Sequence, residues 1–363
     1  MLRKTVLEIN LKALEYNFNQ INSKTRPSTK LMAVVKANAY GSDIIRVSKK
    51  LESLNVDYFA VAYAPEGVML REAGIKTPIL VLIPQVNSFS QIVDNNLEPS
   101  LYSFFFLNNF ISFLKEKNIK KYPCHFKINS GLNRVGFKKE EIGKAIDLVK
   151  KCELIHIVSV YSHLAASEDI SENKFTVKQI KTFTDLASKV SSQVSSRPML
   201  HMSNTSGILN YPECEFDMVR CGIGLYGYSN FLDKSLVPVH RLRTVISQII
   251  KVKKGETIGY NRSFKSIKPS VVGIIPLGHA DGISRSFSKG GFVIINNFKA
   301  KIIGNICMDV FMVDLNGIPA KEGDEVIIFN QTHTAEDFAK EVGTISYEIL
   351  TNLSPRISRK IID

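Results

Sequence analysis

Eight short apolar runs follow one another through the first two thirds of the chain: LMAVVK, YFAVAY, PILVLI, PSLYSF, HFKIN, IVSVYSHL, MLHMS and DMVRCGI. Each is the length of a strand, and amphipathic helical patterns separate them. In NLKALEYNFNQINSK, for example, Leu11, Leu14, Phe18 and Ile21 share one face and Asn10 stands where a cap is needed. Strands alternating with helices give a parallel sheet, and eight such units in a row give a closed (β/α)8 barrel. After about residue 235 the rhythm changes. TVISQIIKV, SVVGIIPL, GFVIIN, KAKIIGNI, VFMVDL and DEVIIF are β-rich and closely spaced. IINNFKAKII predicts a hairpin with Asn296 and Asn297 at its turn, and one short helix is expected from Thr334 to Val342, capped by Thr334. The expected fold is therefore α/β: an N-terminal barrel over residues 1–235 and a mainly β C-terminal domain over 236–363.

A barrel of this kind presents its chemistry at the C-terminal ends of the strands. Five of the eight ends carry polar groups here. The first run ends in Lys36. The fifth contains Lys127 and leads to Arg134. The sixth reaches His163, the seventh opens into HMSNTSG, and the eighth holds Arg220 before CGIG. The last two loops are where barrels often hold phosphate, through backbone N–H groups and hydroxyls such as those of Ser203 and Thr205. A lysine at the same mouth as a phosphate site points to a phosphorylated aldehyde bound as a Schiff base.

In order and spacing, AVVKANAYG, INSGLNRVGF, HMSNTSG, RCGIGLYG, IGYNRSF, GHADG and GNICMD resemble the alanine racemases along the whole chain. The resemblance implies pyridoxal 5′-phosphate as cofactor and interconversion of L- and D-alanine by two bases acting on the cofactor aldimine. It also implies a homodimer with shared active sites and a supply of D-alanine for peptidoglycan. Lys36 matches the Schiff-base lysine and first base. Tyr260 matches the second base, delivered by the partner subunit. Tyr40, Asn204, Thr205, Gly222 and Ile223 match the phosphate contacts, Arg220 the arginine facing the pyridine nitrogen, and His163 the neighbouring histidine. Arg134 and Met308 match the substrate-carboxylate contacts, and Lys127 a lysine that is carbamylated in many relatives.

Some positions depart from the family pattern. Asn129-Ser130-Gly131-Leu132 replaces D-T-G-M, Ser42-Asp43 replaces His-Gly, and His279 stands for an entrance tyrosine. Ser354-Pro355 precedes RISR where many relatives place a phosphate-binding tyrosine, so one phosphate contact is expected to be absent or supplied elsewhere.

Other classes fit less well. A pyridoxal-dependent decarboxylase or lyase on this fold would lack Tyr260 in its context. A non-catalytic pyridoxal-phosphate-binding barrel would lack the second domain. The net charge of +13 raises a nucleic-acid module, but the lysines come as scattered pairs without a basic stripe. Five cysteines without C-x-x-C spacing predict a reduced, cytoplasmic chain with no metal site. The N-terminal segment lacks a signal-peptide core, and LYSFFFLNNFISFL is too short to span a bilayer. The sequence leaves open alanine against serine, and biosynthetic against catabolic use.

Overall fold

A computed structural model describes residues 4–229 and 235–363. The first three residues of the N-terminal segment, and the five just before the expected domain boundary, lie outside it. The chain opens with strand β1 (Val6–Asn10) and then builds a closed barrel. The barrel strands are β2 (Lys30–Val34), β3 (Tyr58–Val61), β4 (Ile79–Val81), β5 (Glu98–Leu101), β6 (Tyr122–Lys127), β7 (Ile155–Tyr161), β8 (Met199–His201) and β9 (Met218–Cys221). These are the eight apolar runs. All neighbouring pairs are parallel, and β2 closes on β9 with Met32 opposite Arg220. Strands covered on both faces need continuous apolar side chains, and β3 and β4 are buried throughout.

The helix expected after Asn10 runs from Leu11 to Ser23. Asn10 Oδ1 accepts from the Ala13 N–H at 2.9 Å, and Leu14, Phe18 and Ile21 are buried.

Beyond the barrel, β10 (His240–Val245) enters a nine-stranded sheet. The expected hairpin pairs Phe292–Ile295 with Phe298–Ile303. Asn296 and Asn297 both have positive φ (48° and 67°), as a two-residue turn matching the twist of its strands requires. Thr334 caps the helix Ala335–Lys340. Two features were not expected. β1 pairs with β10 (antiparallel) and with Ser358–Ile362 (parallel), so the two chain ends lie side by side in the C-terminal sheet. A second short helix, Ser346–Thr351, lies against the barrel's first turn.

Candidate active site

Immediately after β2 the backbone does something that no glycine forces. Ala37, Asn38, Ala39 and Tyr40 all have φ between 53° and 56°, a left-handed turn built from L-residues. Such a conformation costs about 1–2 kcal/mol per residue, so surrounding contacts must hold it. They come from three directions. Glu66 accepts from the Ala37 N–H at 2.7 Å. Ser42 Oγ bonds His240 Nε2 of β10 at 2.6 Å. The Arg359 guanidinium, from the last strand, donates to the Gly41 carbonyl at 3.1 and 3.2 Å. Gly41 itself has φ +77°, and a Cβ there would stand 1.9 Å from the Leu350 carbonyl oxygen. The C-terminal sheet thus clamps the turn that bears Lys36 and Tyr40.

Both residues line a cavity of about 500 Å³ at the C-terminal ends of the barrel strands. Lys127, Arg134, His163, Asn204, Thr205, Arg220, Gly222 and Ile223 share it. Ten of the twelve residues singled out from sequence therefore meet in one place. The other two do not. Tyr260 is 71% exposed and Met308 58% exposed, and neither lines the cavity of its own chain. They belong to one surface of the C-terminal domain. Asn305 donates to the Tyr260 carbonyl at 3.1 Å, and the Met308 carbonyl accepts from Ala280 N–H at 3.1 Å.

The cavity is electropositive, and several of its charged groups are buried. Burial, then the Arg134 charge, lower the pKa of Lys36 and so favour its neutral amine, while the Glu66 charge pulls the other way. Lys127 is more deeply enclosed, with Nζ 4.2 Å from the centre of the Tyr161 ring. Burial, then Arg220 and Arg134, hold its pKa well below the usual lysine range. Arg220 is buried and bonded through both terminal nitrogens: Nη1 to His201 Nδ1 at 2.6 Å, Nη2 to the Ser162 and Met202 carbonyls at 2.7 and 3.0 Å. Nη2 also lies 3.1 Å from His163 Nδ1. Burial, with a smaller push from the Arg134 charge, brings the guanidinium down to about 10, and burial with the Arg220 charge keeps His163 neutral by pushing its pKa well down.

On the opposite side lies a cradle of small groups. Thr205 Oγ1 accepts from the Gly222 and Gly224 N–H groups at 3.4 and 3.2 Å. Asn204 Oδ1 caps the helix Thr205–Asn210 by accepting from Gly207 N–H. Gly222 has no room for a side chain, since a Cβ would lie 2.3 Å from the Tyr40 hydroxyl oxygen. Sequence reasoning missed Tyr347 here. It lines the cavity with its ring 5.8 Å from that of Tyr40. The family pattern points to a tyrosine next to RISR, whereas the helix Ser346–Thr351 brings one in from seven residues earlier than Ser354. Nothing in ISYEIL distinguishes it from a packing aromatic.

The chain matches the family description "Alanine racemase, N-terminal domain" over residues 9–230 and "Alanine racemase, C-terminal domain" over 239–361. It is 35% identical to the alanine racemase of Treponema denticola, with 100% of this chain and 99% of that one covered. It superposes on the structure of alanine racemase from Clostridium difficile 630 with a TM-score of 0.92 at 33% identity, covering 100% of this chain and 96% of that one. The structure of alanine racemase from Bartonella henselae with covalently bound pyridoxal phosphate gives a TM-score of 0.90 at 29% identity, with 99% of each chain covered.

Proposed function

The chain belongs to the alanine racemase family of pyridoxal-phosphate-dependent isomerases, and on that premise we propose that it interconverts L- and D-alanine using Lys36 and Tyr260 as its two bases. The observation that carries this reading is the convergence of a poised lysine, a buried arginine and a cradle of small residues in one cavity. Residues up to 235 form the unit that holds most of the cofactor, and residues 236–363 contribute Tyr347 and the second base.

The cavity's groups fit pyridoxal 5′-phosphate. Lys36, with its amine biased toward the neutral form, would hold the aldehyde. Tyr40, Tyr347, Asn204, Thr205, Gly222 and Ile223 would hold the phosphate, and Gly222 is what lets the Tyr40 hydroxyl come near. When bound, the cofactor supplies an electron sink that acidifies the substrate's α-carbon. Arg220, which lines the same cavity, would hold the ring nitrogen's side of the cofactor. A guanidinium gives up a proton poorly, so Arg220 would supply no proton to that nitrogen and would restrain the sink. Such restraint favours return of the proton to the α-carbon over side reactions. His163, bonded to Arg220, stays neutral beside it.

Inversion of a carbon centre needs removal of a proton on one face and delivery on the other. Lys36 serves one face. Tyr260, exposed in its own subunit, serves the other from a second copy of the chain, together with the backbone of Met308, which contacts the substrate carboxylate. Arg134 offers the carboxylate a planar fork. Lys127 would take up dissolved carbon dioxide as a carbamate, its amine nitrogen forming the N–C bond and releasing one proton to solvent. A buried neutral amine between two arginines is suited to that reaction, and the resulting anion balances their charge. The enzyme works in the cytoplasm and supplies D-alanine for peptidoglycan.

The test is solvent deuterium entry at the α-carbon of L-alanine and of L-serine, read with product chirality. Exchange with inversion on alanine supports the proposal. Exchange without inversion refutes the two-base assignment, and a marked preference for serine refutes the substrate.

A further inference from the structure

Barrels of this type usually fill their interior with branched apolar side chains. This one carries a row of hydrogen-bonded polar groups that runs from one mouth to the other. Glu98, the first residue of β5, stands at the N-terminal end, where its carboxylate takes the Tyr58 hydroxyl as well. Its Oε2 lies 2.7 Å from His125 Nε2. His125 Nδ1 lies 2.5 Å from Ser159 Oγ, directly across the β6–β7 pairing. Ser159 Oγ lies 2.9 Å from His201 Nε2, and His201 Nδ1 lies 2.6 Å from Arg220 Nη1. His125, Ser159 and His201 are wholly buried, so water does not interrupt the row. Tyr161 is stacked on His201 at 4.9 Å with the rings 4° from parallel, which fixes the plane of that imidazole.

The two ends of the row decide every proton along it. A guanidinium only donates, so His201 Nδ1 must accept. Burial and the Arg220 charge keep His201 neutral, and its single proton therefore sits on Nε2 and is donated to Ser159. Ser159 in turn donates to His125 Nδ1. His125 carries its proton on Nε2 and donates it to Glu98, which as a carboxylate only accepts. The opposite ordering fails twice. It sets two donors against each other at Arg220 and two lone pairs against each other at Glu98. Each failure strands buried polar groups, which is the expensive case for hydrogen bonds.

We propose that Glu98 is a positioning residue for Arg220: acting through His125, Ser159 and His201, it keeps Nδ1 of His201 bare and so holds the guanidinium in place at the cofactor ring. This rests on the role given to Arg220 above. A carboxylate at the far mouth of the barrel thereby helps set the group that restrains the electron sink. Replacing Glu98 with an apolar residue removes one of the two mismatches that forbid the reversed ordering. Arg220 relieves the other by turning away.

The experiment is 15N NMR of the imidazole nitrogens in histidine-labelled protein, with the racemisation rate measured on the same samples loaded with pyridoxal phosphate. In the unsubstituted protein, His125 and His201 both carry their proton on Nε2 alone. Glu98→Leu moves the His201 Nδ1 resonance toward the protonated position and slows racemisation by about tenfold. Glu98→Gln keeps a carbonyl acceptor and retains the unsubstituted pattern and rate. Should Glu98→Leu fail to fold, Ser159→Ala breaks the same row between the rings and is expected to move His201 in the same way. A proton on Nδ1 of either ring in the unsubstituted protein overturns the proposal, as does a His201 resonance that neither variant moves. If the loaded protein does not racemise alanine while the ring protons lie as stated, the functional reading fails and the ordering stands. If an active enzyme shows another ordering, only the role of Glu98 fails.

Discussion

Gly222→Ala is a one-methyl perturbation with a calculable consequence. The added Cβ would lie 2.3 Å from the Tyr40 hydroxyl oxygen and 3.1 Å from its Cζ. Tyr40 has little freedom to retreat. Its ring is buried, 4.8 Å from that of Tyr226 and 5.8 Å from that of Tyr347, and its backbone lies in the clamped left-handed turn. Overpacking of this sort costs about 1–3 kcal/mol. If Tyr40 yields, its hydroxyl leaves the phosphate, and a hydrogen bond to a charged group contributes about 1.5–3 kcal/mol. Cofactor affinity should then fall by roughly 10- to 100-fold. The assay is a titration of cofactor-free protein with pyridoxal phosphate, followed by visible absorbance, alongside thermal unfolding of the cofactor-free protein. The decisive comparison is a double-mutant cycle with Tyr40→Phe. That change removes the atom 2.3 Å away and leaves only the milder 3.1 Å approach. Gly222→Ala should therefore destabilise the cofactor-free protein less in the Tyr40→Phe background than alone, with a coupling of at least about 1 kcal/mol. Additive effects would refute the claim that Gly222 exists to admit the Tyr40 hydroxyl.

Three further outcomes are expected. Gly41→Ala meets both a positive φ and the Leu350 carbonyl, and should destabilise by at least about 2–3 kcal/mol, read as a lowered unfolding midpoint. The reaction of Lys36 with an aldehyde reagent in cofactor-free protein should titrate below the ordinary lysine range. Arg134→Leu, which removes a cation that lowers the pKa, should move that midpoint up, and Glu66→Gln, which removes an anion that raises it, should move it down. Because folding lowers the Lys36 pKa, the unfolded chain binds more protons there, and stability from this group rises with pH from its folded pKa up to its unfolded value. Tyr260→Phe should keep the cofactor yet lose at least about 100-fold in racemisation. Mixing it with Lys36→Ala subunits should restore activity, since one of the two sites then receives both bases; no restoration would rule out shared sites.

Much of this architecture can be read from the chain because its signals are local. Each barrel strand is a short apolar run beside its own helix, so the eight strands are visible one at a time. The ten cavity residues sit at or just after strand ends, where a barrel has to put them. Asn10, Thr334 and the Asn296–Asn297 turn declare themselves through capping and turn chemistry. β1 was missed because its partners are β10 and Ser358–Ile362, more than 200 residues away, and VLEIN is too brief to stand out without them. Tyr347 was missed for a related reason, since its place at the cavity depends on a helix docking against the first barrel turn.

The left-handed turn after β2 marks the boundary between the two kinds of information. The sequence by itself determined that a lysine would end the first barrel strand and that a tyrosine would follow four residues later. It held no sign that the four residues from Ala37 to Tyr40 would all adopt positive φ, because KANAY contains no glycine to license it. Only the tertiary structure decided that. The strain is local, but the groups that offset it are Glu66, His240 and Arg359, brought from three other parts of the chain. Proton order along the barrel interior is of the same kind: no single residue carries it, and it exists only once Glu98 and Arg220 close the two ends of one buried row.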